Sequence, residues 1–348
     1  MLEEPDTHVD TSNRRPDDAD LALVRIICAP VSERAERWDE WVVGADFEQL
    51  SPEAYGVLAE LYKAVEPLNL VHPWIARLRG VFRRTWTTNQ VHRATFDSIA
   101  DALTGAGIDL LRPADHEIAA VLPEPAAHQL RPPRVVVPWA NGPHALAVLT
   151  AVGWHVAEPP PRSARARLTR TRWALATPEG ATAELATTYN PQLSGEQRDR
   201  EVFRRAGQRA GQLFAAHPVD IACNALTDQL DVPGSIRWIP GAVAVLDAFD
   251  GHIDLRQILD RRAASRVLTA VVPRLEVLVT EGFSARAASH LRVAQELAAA
   301  HPLASRPRER AVDWTRRQAA LATRTPTTAR RVIARHGGLP GLVAALRG

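Results

Sequence analysis

The sequence predicts an α+β protein that is predominantly helical, with a small mixed sheet near the middle of the chain and helical regions on either side. Three observations carry that prediction. Apolar residues from Leu21 to Leu103 recur at helical spacing. Between Gly107 and Leu185 the pattern changes to short β-branched or alternating runs broken by Gly and Pro. From about Ser194 onward the helical pattern returns. At 348 residues and 46% hydrophobic content, the chain can bury a substantial core and form two or three modules.

Residues 1–18 are polar and acidic with two prolines, and offer too little apolar surface to offset the entropy of ordering them. They read as a disordered tail. Residues 19–104 form an N-terminal helical region, in which Leu21, Val24 and Ile27 mark one face and Trp38, Trp41 and Val42 another. Ser51-Pro52-Glu53 has the composition of a helix start, with Ser as cap and Pro at the first helical position. A long helix from about Pro73 to Leu103 follows and ends at Gly105 or Gly107.

Residues 105–192 form an α/β module. Ile108-Asp109-Leu110-Leu111 reads as a short buried strand stopped by Arg112-Pro113, and Arg134-Val135-Val136-Val137 as a second strand closed by Pro138. Pro143 to Val152 reads as a helix with Gly153 as its stop, and Trp154-His155-Val156 as an edge strand. After a Pro/Arg loop from Pro159 to Arg167, a hairpin pairs Trp173–Ala176 with Ala181–Leu185 across Pro178-Glu179-Gly180. Residues 193–348 form a C-terminal helical region, with starts near Ser194, Pro218 and Asp254 and breakers at Pro233-Gly234, Pro240-Gly241 and Gly251.

Charge and cysteine usage exclude several classes. The 42 basic and 40 acidic residues leave a net charge of +2, so no global field argues for nucleic acid or an anionic membrane. Lys63 is the only lysine; with abundant Ala and Pro, this fits the coding bias of a GC-rich bacterial genome. Cys28 and Cys223 lie far apart in apolar surroundings, which predicts reduced, buried thiols rather than a disulfide framework or zinc site. No basic-then-apolar leader and no run of 18 apolar residues is present, so a soluble cytoplasmic protein is expected. There is no Walker A loop, GxSxG elbow, HExxH helix or GxGxxG turn.

A series of joints then carries a resemblance. Leu103-Thr104-Gly105-Ala106-Gly107-Ile108 leads into the first strand and Arg131-Pro132 into the second, and Leu149-Thr150-Ala151-Val152-Gly153-Trp154 ends the central helix. His217-Pro218-Val219-Asp220, Ile236-Arg237-Trp238-Ile239 and Ile253-Asp254-Leu255 follow in the C-terminal region. In this order they resemble a family of uncharacterised bacterial nucleotidyltransferases, a branch of the DNA polymerase beta superfamily, over roughly Leu21 to Leu297. The resemblance implies a nucleotidyltransferase-like sheet, and it also shows departures. Arg112-Pro113 stands where the family has Lys-Gly, Gly241 where an aspartate usually follows, and the Asp-x-Asp pair is missing. Nucleotidyl transfer needs two carboxylates one residue apart on a strand, so that both face one side and hold Mg²⁺ against the triphosphate. No acid lies between Arg131 and Val156.

Glu184 fits the family's third acidic position, either as a surviving catalytic or metal-binding carboxylate or as a solvent-facing residue of the hairpin. Arg112, Arg131 and Arg134 form a candidate phosphate- or carboxylate-binding set, because the guanidinium fork matches such groups. Asp109, Asp115 and Glu117 are the alternative source of displaced acids. The resemblance thus implies a catalytically degenerate accessory or binding factor in a bacterial natural-product peptide or cell-surface pathway, with a protein or peptide partner and a nucleotide as alternative ligand. One alternative is an active transferase using Mg²⁺ and an NTP through atypically placed carboxylates. Another is a helical interaction scaffold with no small-molecule ligand. Most of the tryptophans are expected in the core. The Arg-rich stretch from Arg306 to Arg335 reads as solvated helix faces rather than a nucleic-acid surface, and no membrane partner is expected.

Overall fold

The computed structural model describes residues 16–158, 171–190, 196–229, 232, 234–259 and 264–300. The Pro/Arg loop, most of the acidic tail and the Arg-rich C-terminal stretch lie outside these residues. Among the described residues the chain is mostly helical with one mixed sheet, as the pattern predicts. Two compact units are built from interleaved stretches of chain.

The first unit gathers the described residues up to Trp86, Val121–Gln129 and Ala222–Leu297. Helix α1 (Asp18–Cys28) buries Leu21, Leu23, Val24 and Ile26 and lies against α3 (Pro52–Val65) and α2 (Val31–Gly44). The predicted cap holds: Ser51 Oγ accepts from Ala54 N at 2.9 Å and also donates to the Asp20 carboxylate of α1. One hydroxyl therefore closes the helix end and joins two helices. Helix α4 (Pro73–Gly105) begins in this unit and ends in the other. Trp38, Trp41, Trp74, His72, Phe47 and Tyr55 form a continuous chain of tilted and edge-on ring contacts at 5.1–5.9 Å.

The second unit holds the described residues of Thr87–Ala120 and Leu130–Ile221. Gly107, at φ +72°, takes the left-handed conformation that ends α4 and turns the chain into β1 (Leu110–Leu111). Then come α5 (Ala114–Val121), β2 (Arg134–Val136), α6 (Gly142–Ala151), β3 (His155–Val156), β4 (Arg172–Ala176) and β5 (Thr182–Ala186). α7 (Glu196–Arg205), β6 (Gly207–Ala210), β7 (Leu213–Ala215) and the start of α8 (Pro218–Thr227), which belongs to the first unit from Ala222, complete the series. The strand order is β3-β4-β5-β2-β1-β7-β6, with β2 parallel to β5 and antiparallel to β1. β3 is the predicted edge, and the hairpin is β4–β5.

Two elements correct the sequence reading. Helix α5 follows Arg112-Pro113, where only the end of a strand was expected. The hairpin β6–β7 occupies a stretch expected to be helical and extends the sheet beyond 192. Its residues, Gly207 to Ala215, have little β propensity; they become strand because β7 pairs in parallel with β1, at Leu110↔Leu213 and Leu111↔Phe214. The remaining helices, α9 (Trp238–Ala248), α10 (Arg256–Leu259), α11 (Ala264–Thr280) and α12 (Ala287–Ala300) as far as Leu297, belong to the first unit. Asp254 caps α10 through Arg256 N at 3.0 Å.

One face of the sheet is the core of the second unit. Phe96, Ile99 and Leu103 of α4, Ala145 and Leu149 of α6, and Leu110, Val135, Val137, Trp173, Leu175, Ala183 and Leu185 of the sheet region form a single apolar cluster. Alternation along the strands sends Arg134, Val136, Glu184 and Ala186 to the opposite face.

Candidate functional site

The second face of the sheet brings charge together through register. β2 and β5 pair so that Arg134 lies opposite Glu184, and β4 and β5 pair so that Ala174 lies opposite Glu184 and Arg172 opposite Ala186. Residues opposite one another in a sheet share a face, so Arg134, Glu184 and Arg172 all point away from the apolar core.

Arg134 is the centre of this face. Its Nε lies 2.9 Å from Glu184 Oε1, at ion-pair distance but off the N–H direction, so the attraction is charge on charge rather than a hydrogen bond. Its Nη2 donates to the Thr188 carbonyl at 3.0 Å and to Thr188 Oγ1 at 3.1 Å. Burial holds the Arg134 guanidinium below its ordinary pKa; Glu184 raises it again, while Arg172 and Arg131 lower it. Asp199 also raises it from a distance.

Asp199, on α7, is 3% exposed and supports this arrangement from behind. Its Oδ2 accepts from Trp139 Nε1 at 2.8 Å and its Oδ1 from Tyr189 N at 3.2 Å. The Thr188–Tyr189 peptide therefore donates its N–H to a buried carboxylate and offers its C=O to a guanidinium. In a trans peptide these groups point in opposite directions, so Arg134 and Asp199 lie on opposite sides of one amide.

The candidate arginines do not form one set. Arg131 and Arg134 are close enough for their charges to interact, but Arg131 is clasped by Asp115 of α5, Nε to Oδ2 at 3.0 Å and Nη2 to Oδ1 at 2.9 Å. Arg112 is elsewhere. Leu111 is registered with Val136 and shares the second face, whereas Leu110 belongs to the core cluster; the next step of the alternation carries Arg112 back to the side covered by α4. Its charge is felt there by His116, along with those of Arg93 and His92 of α4. Arg112 makes no ion pair with any described residue.

Of the other candidate acids, Asp115 is committed to Arg131, Glu117 is buried on α5 and Asp109 precedes β1. Among the described residues no group of three or more His, Cys, Asp or Glu is placed to hold a metal ion. Asp220, in the His217–Asp220 joint, forms a two-pronged pair with Arg205, Nη2 to Oδ1 at 2.7 Å and Nε to Oδ2 at 3.2 Å, and so ties α7 to α8. In the joint around Arg237, Trp238 is buried, donates to Ser235 O at 2.9 Å and carries the Arg274 guanidinium over its ring at 4.6 Å.

Sequence reasoning missed Arg172, Thr188 and Asp199. The alternation Arg172-Trp173-Ala174-Leu175-Ala176 holds a signal for Arg172, since period two puts it on the face opposite Trp173 and Leu175. Asp199 gives none: it sits among Gln197, Arg198, Arg200 and Glu201, a composition that reads as a solvated helix. No protein-family model, curated protein or solved structure matches this chain.

Proposed function

We propose that this chain is a nucleotidyltransferase-like protein without metal-dependent transfer chemistry, which binds an anionic group on the second face of its sheet. In this reading it serves as an accessory or binding factor for a protein or peptide partner in a bacterial natural-product peptide or cell-surface pathway. The pathway setting rests on the resemblance of the joints alone. The observation that carries the binding reading is the Arg134–Glu184 pair: the carboxylate that the resemblance puts at a metal-ligand position already has a cation beside it. Arg131 and Arg172 add positive charge around that pair, and guanidinium groups suit phosphate and carboxylate.

The test is titration of the protein with ATP, GTP, CTP and UTP at moderate salt, with and without Mg²⁺, alongside an Arg131→Ser/Arg134→Ser/Arg172→Ser variant. Metal-independent binding that disappears in the variant is the expected result. Binding strengthened tenfold or more by Mg²⁺, about 1.4 kcal/mol of coupling, or release of a transfer product would overturn the reading in favour of an enzyme. Binding that survives in the variant would overturn the assignment to this face, and no binding at all would leave a helical interaction scaffold.

A further inference from the structure

We infer that the Arg134 guanidinium does the work of a divalent cation on this face, so that the protein takes an oxyanion free of metal and Mg²⁺ competes with the site instead of completing it. The inference deepens the anion-binding reading above and rests on it. A cation on a sheet face must offset the local carboxylate and still present a hydrogen-bond donor to a ligand. Arg134 meets both conditions. Its Nε faces Glu184, its Nη2 is fixed by two Thr188 acceptors, and its Nη1 hydrogen-bonds to no described residue. Thr188, whose peptide is braced from behind by buried Asp199, keeps the side chain from swinging away.

A metal ion beside Glu184 would need the volume the guanidinium fills, and among the described residues no group of three or more His, Cys, Asp or Glu is placed to hold one. A phosphate oxyanion approaching Arg134 also feels Arg172, and Arg131 with its charge offset by Asp115, and its attraction to these cations grows with its own charge. Complexation with Mg²⁺ lowers that charge and occupies the same oxygens. Metal therefore weakens binding by withdrawing free ligand.

The register supplies a sharper consequence. Arg134 and Glu184 are directly opposed on parallel strands, so Arg134→Asp puts two carboxylates on one face at neighbouring positions, which is what a divalent cation requires. The effect of metal should then reverse in sign. Inorganic pyrophosphate is the probe, titrated into wild type, Arg134→Asp and Glu184→Gln, each with and without excess Mg²⁺ or Mn²⁺, with far-UV circular dichroism as the check on folding.

The expected pattern has three parts. Excess Mg²⁺ weakens pyrophosphate binding to wild type tenfold or more. Arg134→Asp binds Mn²⁺ at least tenfold more tightly than wild type, and binds pyrophosphate only when metal is present. Glu184→Gln, which frees Arg134 from its carboxylate, binds pyrophosphate more tightly than wild type and is still weakened by Mg²⁺. If wild type binds no pyrophosphate, the anion-binding reading fails and this inference with it. If wild type binds it but Mg²⁺ does not weaken the affinity, or folded Arg134→Asp ignores Mn²⁺, only the inference fails. Should Arg134→Asp not fold, Glu184→Gln decides, and weaker binding or a gain from Mg²⁺ in that variant overturns the inference.

Discussion

At the scale of single residues, several side chains are held under tension that can be read out. His116 is 5% exposed, its ring meets Phe96 edge-on at 5.2 Å, and its Nε2 has no hydrogen-bond partner. Burial, helped by the Arg112 charge, pushes its pKa down to about 4 from an ordinary 6.5. The unfolded chain therefore takes up a proton that the folded chain refuses. Stability from this group is fully present above pH 6.5 and is lost as pH falls toward 4, by about 3 kcal/mol at most. Denaturant titrations across that window should show the loss in wild type and a flatter profile in His116→Phe. Gly56 gives a second test. A Cβ there would come within 2.0 Å of Arg237 Nε, so the bare helix surface is where the Arg237 side chain lies, with its Nη2 donating to Pro52 O at 2.6 Å. Gly56→Ala alone displaces that side chain and cancels its own gain in helix propensity. In an Arg237→Ala background the same change should stabilise by about 1 kcal/mol, a difference a double-mutant thermal-melt cycle resolves. Gly56 did not announce itself in the sequence, because its effect arises from Arg237, distant along the chain, and for His116 no local pattern encodes the burial that dominates.

Among elements, legibility followed how local the cause was. The cap at Ser51, the long α4, the β4–β5 hairpin and the β2 strand were all readable, since caps, periodicity and β-branched residues act over a few positions. The β6–β7 hairpin was not, because its strand state comes from pairing with β1, about a hundred residues earlier. The same limit governed the candidate site. Glu184 could be placed on a strand, but its partner Arg134 is set by the parallel register of β2 with β5, which no local pattern encodes. For the same reason Arg112 was grouped with Arg134, although the alternation past Leu111 separates them. The core side of the sheet makes its own prediction. Leu185 is fully buried between strands and helices, so Leu185→Ala should cost about 2–5 kcal/mol in chemical denaturation. Ala174, half-buried on the other face, should tolerate Ser with a change below about 0.5 kcal/mol.

For the molecule as a whole, the division into helical, mixed and helical stretches was legible, but the grouping in space was not. Helices from both ends of the chain assemble in one unit: α1 lies against α9, Arg25 pairs with Glu281 at 2.5 Å, and Glu53 accepts from Ser235. A chain ended at Ile221 should therefore lose more helical ellipticity than the deleted helices account for, because α1 loses the α9 it lies against and the Glu281 partner of Arg25. Helicity falling only in proportion to length would show that α1–α3 stand alone. The near-balance of charge left only local recognition to consider, and that remains the frame in which the arginines of the sheet make sense. One further consequence concerns Lys63, which bonds to Glu66, lies 3.7 Å from Glu124 and sits over the Phe82 ring. The hydrogen bond to Glu66 keeps its ammonium protonated beyond its usual range. As the sole side-chain amine in 348 residues, it is the one address for enzymes that acylate lysines or attach a degradation tag to them. Because that amine is hydrogen-bonded to Glu66 and held charged, its acylation should run more slowly than that of an unengaged lysine.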